Sequence, residues 1–126
     1  MQVEGRASDG LSGLVRLNRA TKVGFTALAW AFRNEEAFRL EVSGLVVLLP
    51  LALWLGHNGV ERALLAAAVL QVLIVELLNT GIEVVVDRIS IERHALSGLA
   101  KDLGSAAVMI SLLLAVVVWA CVLLLR

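Results

Sequence analysis

Residues 63–88 read ALLAAAVLQVLIVELLNTGIEVVVDR. The apolar part is long enough for a membrane-crossing helix, which needs roughly 17–25 residues. Its second half carries Glu76, Asn79, Glu83 and Asp87. At 100° per residue, with Glu76 as zero, the others project at about −60°, −20° and +20°. All four therefore share one stripe about 80° wide. At the helical rise the stripe is about 16 Å long. A charged group inside a span costs at least about 2.5–3.5 kcal/mol on insertion scales. Two carboxylates and an amide on one face are thus candidates for function. Gln71 lies off the stripe and is assigned no role.

The rest of the chain fits a membrane protein. It has 126 residues, 60% of them hydrophobic, against about 45–50% in soluble domains, and a mean hydropathy of +0.89. Two more apolar segments flank the first: one from about Leu40 to Gly56, and one from Leu103 to Leu125. In the earlier one the uncharged part, Val42–Gly56, is short, and Pro50 is expected to kink it. The later one has no charge, and its hydroxyls are Ser105 and Ser111. Residues 1–12 read as a tail. The polar opening MQVEGRASDG leads to the expectation that there is no cleavable signal. Residues 13–33 read as an amphipathic helix: Leu14, Leu17, Phe25, Leu28 and Phe32 share an arc of about 80°. Arg16, Arg19, Lys22 and Arg33 lie on another face, as suits a helix in the headgroup plane. The expected fold is all-α, with three transmembrane helices (about 40–56, 63–86 and 103–125) and a surface helix, in one domain spanning residues 1–126.

Charge placement sets an expected orientation. Of eleven Lys and Arg, six precede residue 40 and three lie at 88–101; Arg62 and Arg126 fall on the other side. Nine against two places the N-terminus in the cytoplasm and the C-terminus outside, by the positive-inside rule. Net charge is zero, which gives no argument for nucleic acid. The lone Cys121 sits in an apolar run and is expected to be a small buried hydrophobe.

Three acid-bearing regions converge at the cytoplasmic interface. They are the stripe, the segment from Asn34 to Glu41 with Glu35, Glu36 and Arg39, and the start of the third span with Lys101, Asp102 and Ser105. Acidic oxygens with open positions suit Mg²⁺, which takes one or two carboxylates plus substrate phosphates. Basic groups suit nucleotide phosphates. The deeper Glu76 is a candidate general base toward an alcohol, and phosphoryl transfer chiefly needs positioning and charge neutralisation. Neither a P-loop nor a protein-kinase motif is present. A proton or ion conduit and a packing scaffold are the readings from other classes.

Glu76-Leu-Leu-Asn79-Thr-Gly-Ile-Glu83-Val-Val-Val-Asp87-Arg88 resembles the signature of the prokaryotic diacylglycerol kinase family. His94-Ala-Leu-Ser-Gly-Leu-Ala-Lys101-Asp102-Leu-Gly-Ser105 and Asn34-Glu35-Glu36-Ala-Phe38-Arg39 extend that resemblance over nearly all of the chain after residue 13. It implies a homotrimer of three-span subunits with shared active sites in a bacterial inner membrane. It implies ATP and a divalent cation, Mg²⁺, acting on diacylglycerol to give phosphatidate for phospholipid recycling. Glu76 then matches the catalytic base and Asn79 the group that orients the hydroxyl. Glu35 and Glu83 match metal ligands. Arg16, Glu35, Glu83, Glu92, His94, Lys101 and Asp102 match positions around the nucleotide. Arg16, Arg39, Trp54, Glu76, Ser105 and Trp119 match positions along the lipid. The family also contains undecaprenol kinases; the run from His94 to Ser105 is closer to the diacylglycerol branch. Gly81 stands where relatives more often carry Ala or Ser, and Val23 where an aromatic can occur.

Overall fold

A computed structural model describes residues 9–89 and 91–126. It is helical, with α1 at Asp9–Asn34, α2 at Glu36–Leu55, α3 at Gly59–Ile89 and α4 at Ala95–Leu124. The helix α1 with Glu35 forms one unit and Glu36–Arg126 a second. Along α1, Thr21 Oγ1 donates back to the Leu17 carbonyl at 2.8 Å and Thr26 Oγ1 to that of Lys22 at 3.0 Å. Residues 9–12, expected in the tail, are helical; residues 1–8 lie outside the described residues.

The second unit holds three helices long and apolar enough to cross a membrane. Each runs past the apolar segment seen in the sequence. The 30 residues of α4 span about 45 Å at the helical rise, against a hydrocarbon core of about 30 Å. Polar flanking turns thus continue the helices beyond the apolar thickness, and the first turns of α4 carry the polar run from His94 to Asp102. The helix α2 continues unbroken through Pro50, whose ring leaves the Val46 carbonyl without its helical donor.

Short connections make neighbours antiparallel. Gly56-His57-Asn58 joins α2 to α3. Asn58 caps α3, its Oδ1 accepting from Glu61 N at 2.9 Å, while Glu61 Oε2 reaches back to His57 N at 2.7 Å. This reciprocal bonding resembles a capping box. Arg126 Nη1 closes the same corner, donating to the Leu55 carbonyl at 2.8 Å and to Glu61 at 3.0 Å. At the opposite end His94, with φ −130° and ψ 139°, caps α4.

The middle helix, α3, packs on both neighbours. Its buried face runs Leu65, Ala68, Val69, Val72, Glu76, Asn79, Thr80 and Val86. Small residues on that face and on its partners, such as Ala68, Ala52 and Gly104, let helices approach closely, as membrane packing favours. Two polar bonds fix α3 against α4. Trp119 Nε1 donates to the Leu65 carbonyl at 3.1 Å. Gln71 Nε2 donates to the Ser111 carbonyl at 2.7 Å and to that of Ala68 at 3.0 Å. Gln71, given no role from sequence, is an interhelical clasp. Cys121, expected inside, is exposed on the outer face of α4.

Replacing Gln71 by Leu should lower stability by about 0.6–1.7 kcal/mol, the range of interhelical polar bonds in membranes. Reversible unfolding in mixed micelles measures this.

Candidate active site

Burial along the stripe of α3 is graded. Glu76 is 5% exposed and Asn79 8%; Glu83 is half-buried and Asp87 exposed. The stripe therefore runs from the bundle interior to water at the end where α3 meets α4.

Two helices cover its deep part. Glu41 of α2 lies against Glu76, the two carboxyls within hydrogen-bonding reach of each other. From sequence Glu41 was grouped with the acids preceding the first span, and it was not among the expected site residues. It had no separate signal, because a period-3.6 reading of one helix does not show what faces it from another. On the other side Asn79 meets Gly104 of α4. A Cβ at Gly104 would run into Asn79 Oδ1 and stand 3.7 Å from Ile82 Cδ1. Glycine at 104 thus makes room for the amide. Asn79 Oδ1 is buried with no protein donor, so it remains an available acceptor inside the site.

The shallow part is a basic and acidic hollow. Lys101 Nζ bonds Asp87 Oδ1 at 2.6 Å, and Glu83 is near enough to add its charge. Both partners stand partly in water, with side chains 42% and 56% exposed. Such open pairs contribute little to stability and exchange readily for a stronger anion. A cavity of about 440 Å³ opens beside the pair, lined by Asp87, Glu92, Arg93, His94 and Lys101 among others. Three of the residues expected around a nucleotide, Glu92, His94 and Lys101, are thereby brought together. Arg93 joins them; its charge was used in the sequence only to set orientation. His94 Nδ1 accepts from Leu96 N at 3.1 Å, so capping occupies that nitrogen and only Nε2 remains for a ligand. Asp102 and Ser105 are exposed and do not line this cavity.

An apolar groove runs between α2 and α4 over Val69 and Val72 of α3. It comprises adjoining cavities of about 440 and 380 Å³. Glu41 and Leu40 border one end, Trp119 and Leu124 the other. Of the residues expected along a lipid, Trp119 borders the groove. Trp54, 78% exposed, does not, and Arg39 is half-buried on α2 near the Glu41 end. Arg16 lies on α1, and Glu35 is the single residue between α1 and α2.

Among the described residues no group of three or more His, Cys, Asp or Glu could hold a metal ion unaided. The donors that are present fit Mg²⁺ in kind. It takes one or two carboxylates and fills its octahedron with water and phosphate oxygens, and Glu83 offers a half-buried carboxylate near Lys101.

Gly104→Ala should cost about 1–3 kcal/mol, the usual price of overpacking. Adding Asn79→Ala to it should restore most of that loss, since the smaller side chain vacates the space. Unfolding of the single and double variants in micelles checks the coupling.

The family pattern of prokaryotic diacylglycerol kinase matches residues 22–123. A diacylglycerol kinase of Pseudomonas aeruginosa is 50% identical over 115 residues, covering 91% of this chain and 94% of the relative. One of Haemophilus influenzae is 47% identical over 108 residues, 86% of this chain and 92% of the relative. One of Escherichia coli K12 is 44% identical over 117 residues, 93% and 95% respectively. With matches of this extent, and with three apolar helices around a polar stripe, the chain belongs to the prokaryotic diacylglycerol kinase family.

Proposed function

We propose that the protein transfers the γ-phosphoryl group of ATP to the free hydroxyl of diacylglycerol, giving phosphatidate for phospholipid recycling. The observation that carries this reading is the graded stripe of α3. It joins a buried carboxyl and amide, Glu76 and Asn79, to an open cavity with Lys101, Arg93 and His94. A lipid alcohol arrives from the membrane and a nucleotide from water, so the reaction needs a site with one deep and one wet end.

In this reading Glu76 accepts the proton of the lipid hydroxyl as it attacks phosphorus. Asn79, with Oδ1 buried and lacking a donor, orients that hydroxyl. Lys101 exchanges Asp87 for nucleotide phosphates, and His94 offers Nε2. Glu92, Asp102 and Arg16 complete the nucleotide's surroundings. Glu83 and Glu35 would be the ligands of the divalent cation. When bound, that cation neutralises charge on the transferring phosphates. The acyl chains lie along apolar surface near Trp119, Ser105 and Trp54, with Arg16 and Arg39 at the headgroup. One subunit is small for two such substrates, which supports a homotrimer with shared sites. The nine-to-two asymmetry of basic residues supports a cytoplasmic N-terminus and a site on that face of the bacterial inner membrane. The helix α1, with its basic and apolar faces, would lie along the same interface.

A conduit for protons or ions needs polar groups that continue past Glu76. The next ones along that path, Gln71 and Ser111, are engaged in helix–helix and intrahelical bonds, and the groove beyond is apolar. ATP-independent flux in proteoliposomes would revive that reading.

Transfer of labelled phosphate from MgATP in mixed micelles tests the proposal, with diacylglycerol and undecaprenol offered separately. Phosphatidate is the expected product. Undecaprenyl phosphate would keep the mechanism and change the substrate. No product from folded, oligomeric protein would refute a kinase. Glu76→Gln should lower kcat by about 10²–10⁴-fold, the usual contribution of a general base, without loss of assembly. Lys101→Met should raise KM for ATP by at least about ten-fold, one lost charge-assisted phosphate contact being worth about 1.5–3 kcal/mol; an unchanged KM would remove Lys101 from the nucleotide site.

A further inference from the structure

Glu41 of α2 is half-buried, borders the polar end of the apolar groove, and meets the Glu76 carboxyl across the α2–α3 interface. Its neighbours on the groove wall, Leu40, Gly44, Leu45 and Leu112, are apolar or small. Its Oε2 is buried and reached by no protein donor. A second carboxyl placed there is expensive in a membrane, and an apolar residue would fill the wall more cheaply.

The chemistry of the contact is restrictive. An ionised carboxylate only accepts hydrogen bonds, so two carboxyls bond to each other only through a proton held between them. Glu76 is therefore not a lone carboxylate on a helix. A carboxyl from α2 stands within hydrogen-bonding reach of it.

We infer that Glu41 is a positioning residue for Glu76, fixing that carboxyl at the polar end of the groove where a lipid hydroxyl arrives. The inference rests on the reading of Glu76 as base. The O–H of Glu41 donates to one oxygen of Glu76. The other oxygen takes the proton of the lipid hydroxyl as the new O–P bond forms and the bond to the ADP leaving group breaks. Glu41 begins and ends the transfer with its own proton. Asn79, one turn further along α3, approaches from the α4 side, so the acceptor hydroxyl is held by groups supported from two helices.

The test uses the full chain in mixed micelles, with Glu41→Gln, Glu41→Leu, Glu76→Gln and the double variant Glu41→Leu/Glu76→Gln. The amide of Gln keeps a donor at the same reach, whereas Leu removes it and suits the groove wall. Glu41→Gln is expected to keep at least a tenth of the wild-type kcat, and Glu41→Leu to fall at least ten-fold below Glu41→Gln. KM for ATP should stay within two-fold in both, and assembly should be intact. Glu41→Leu should cost nothing further in the Glu76→Gln background. If Glu41→Leu does not assemble, Glu41→Asn, with a donor too short to reach, takes its place with the same expectation. Gln no better than Leu or Asn, or a wild-type kcat in Glu41→Leu, would overturn the inference while leaving Glu76 as base. An active Glu76→Gln would instead overturn the reading on which the inference rests.

Discussion

A carboxyl inside a membrane must be covered by protein, and in this chain that requirement falls on α3. Hydrocarbon cannot solvate Glu76 or Asn79, and each is costly if left facing lipid. The packing of the second unit follows from this. The stripe-bearing helix is the middle one, held between α2 and α4, and two of its buried polar groups meet one neighbour each. Glu76 meets α2 through Glu41. Asn79 meets α4 where Gly104 removes a side chain. Small residues elsewhere on these faces extend the close approach, and the Gln71 and Trp119 bonds fix its register against α4.

The same constraint divides the site by solvent. Toward the α3–α4 link the stripe emerges into water, and its last carboxylate pairs with Lys101 in the open. Charges there are solvated and exchangeable, as reversible binding of a highly charged nucleotide requires. Deeper, water is excluded and polar groups are held by neighbours, as proton transfer with a lipid alcohol requires. A single helix with a polar stripe tilted toward one end supplies both environments. His94 shows how the wet end is built: one ring nitrogen stops the α4 N-terminus from fraying, and the other remains for a ligand.

The three apolar helices, their order and the stripe were legible in the residues alone. Hydropathy and the 3.6 period are properties of single segments, and no partner is needed to see them. Family membership was legible for a similar reason, since the acidic and basic residues of the site keep their order and spacing along the chain. Helix ends were legible only roughly. Residues 95–101 and 36–39 read as lying outside the spans, although the helical backbone there satisfies itself and continues.

Tertiary structure alone decided which residues face each other. Glu41 was one of several acids preceding a span until α2 laid it against Glu76. Gln71 lay off the stripe until Ser111 of α4 presented a carbonyl to it. Gly104 was one small residue of α4 until the amide of Asn79 filled the space beside it, while Ser105 turned outward. Trp119 came to border the groove and Trp54 did not. The physical reason is common to all of these. Periodicity fixes the direction of a side chain about its own helix axis, but the rotation and height of one helix against the next come from packing. Those two quantities determine whether a polar group finds a partner, a cavity or lipid.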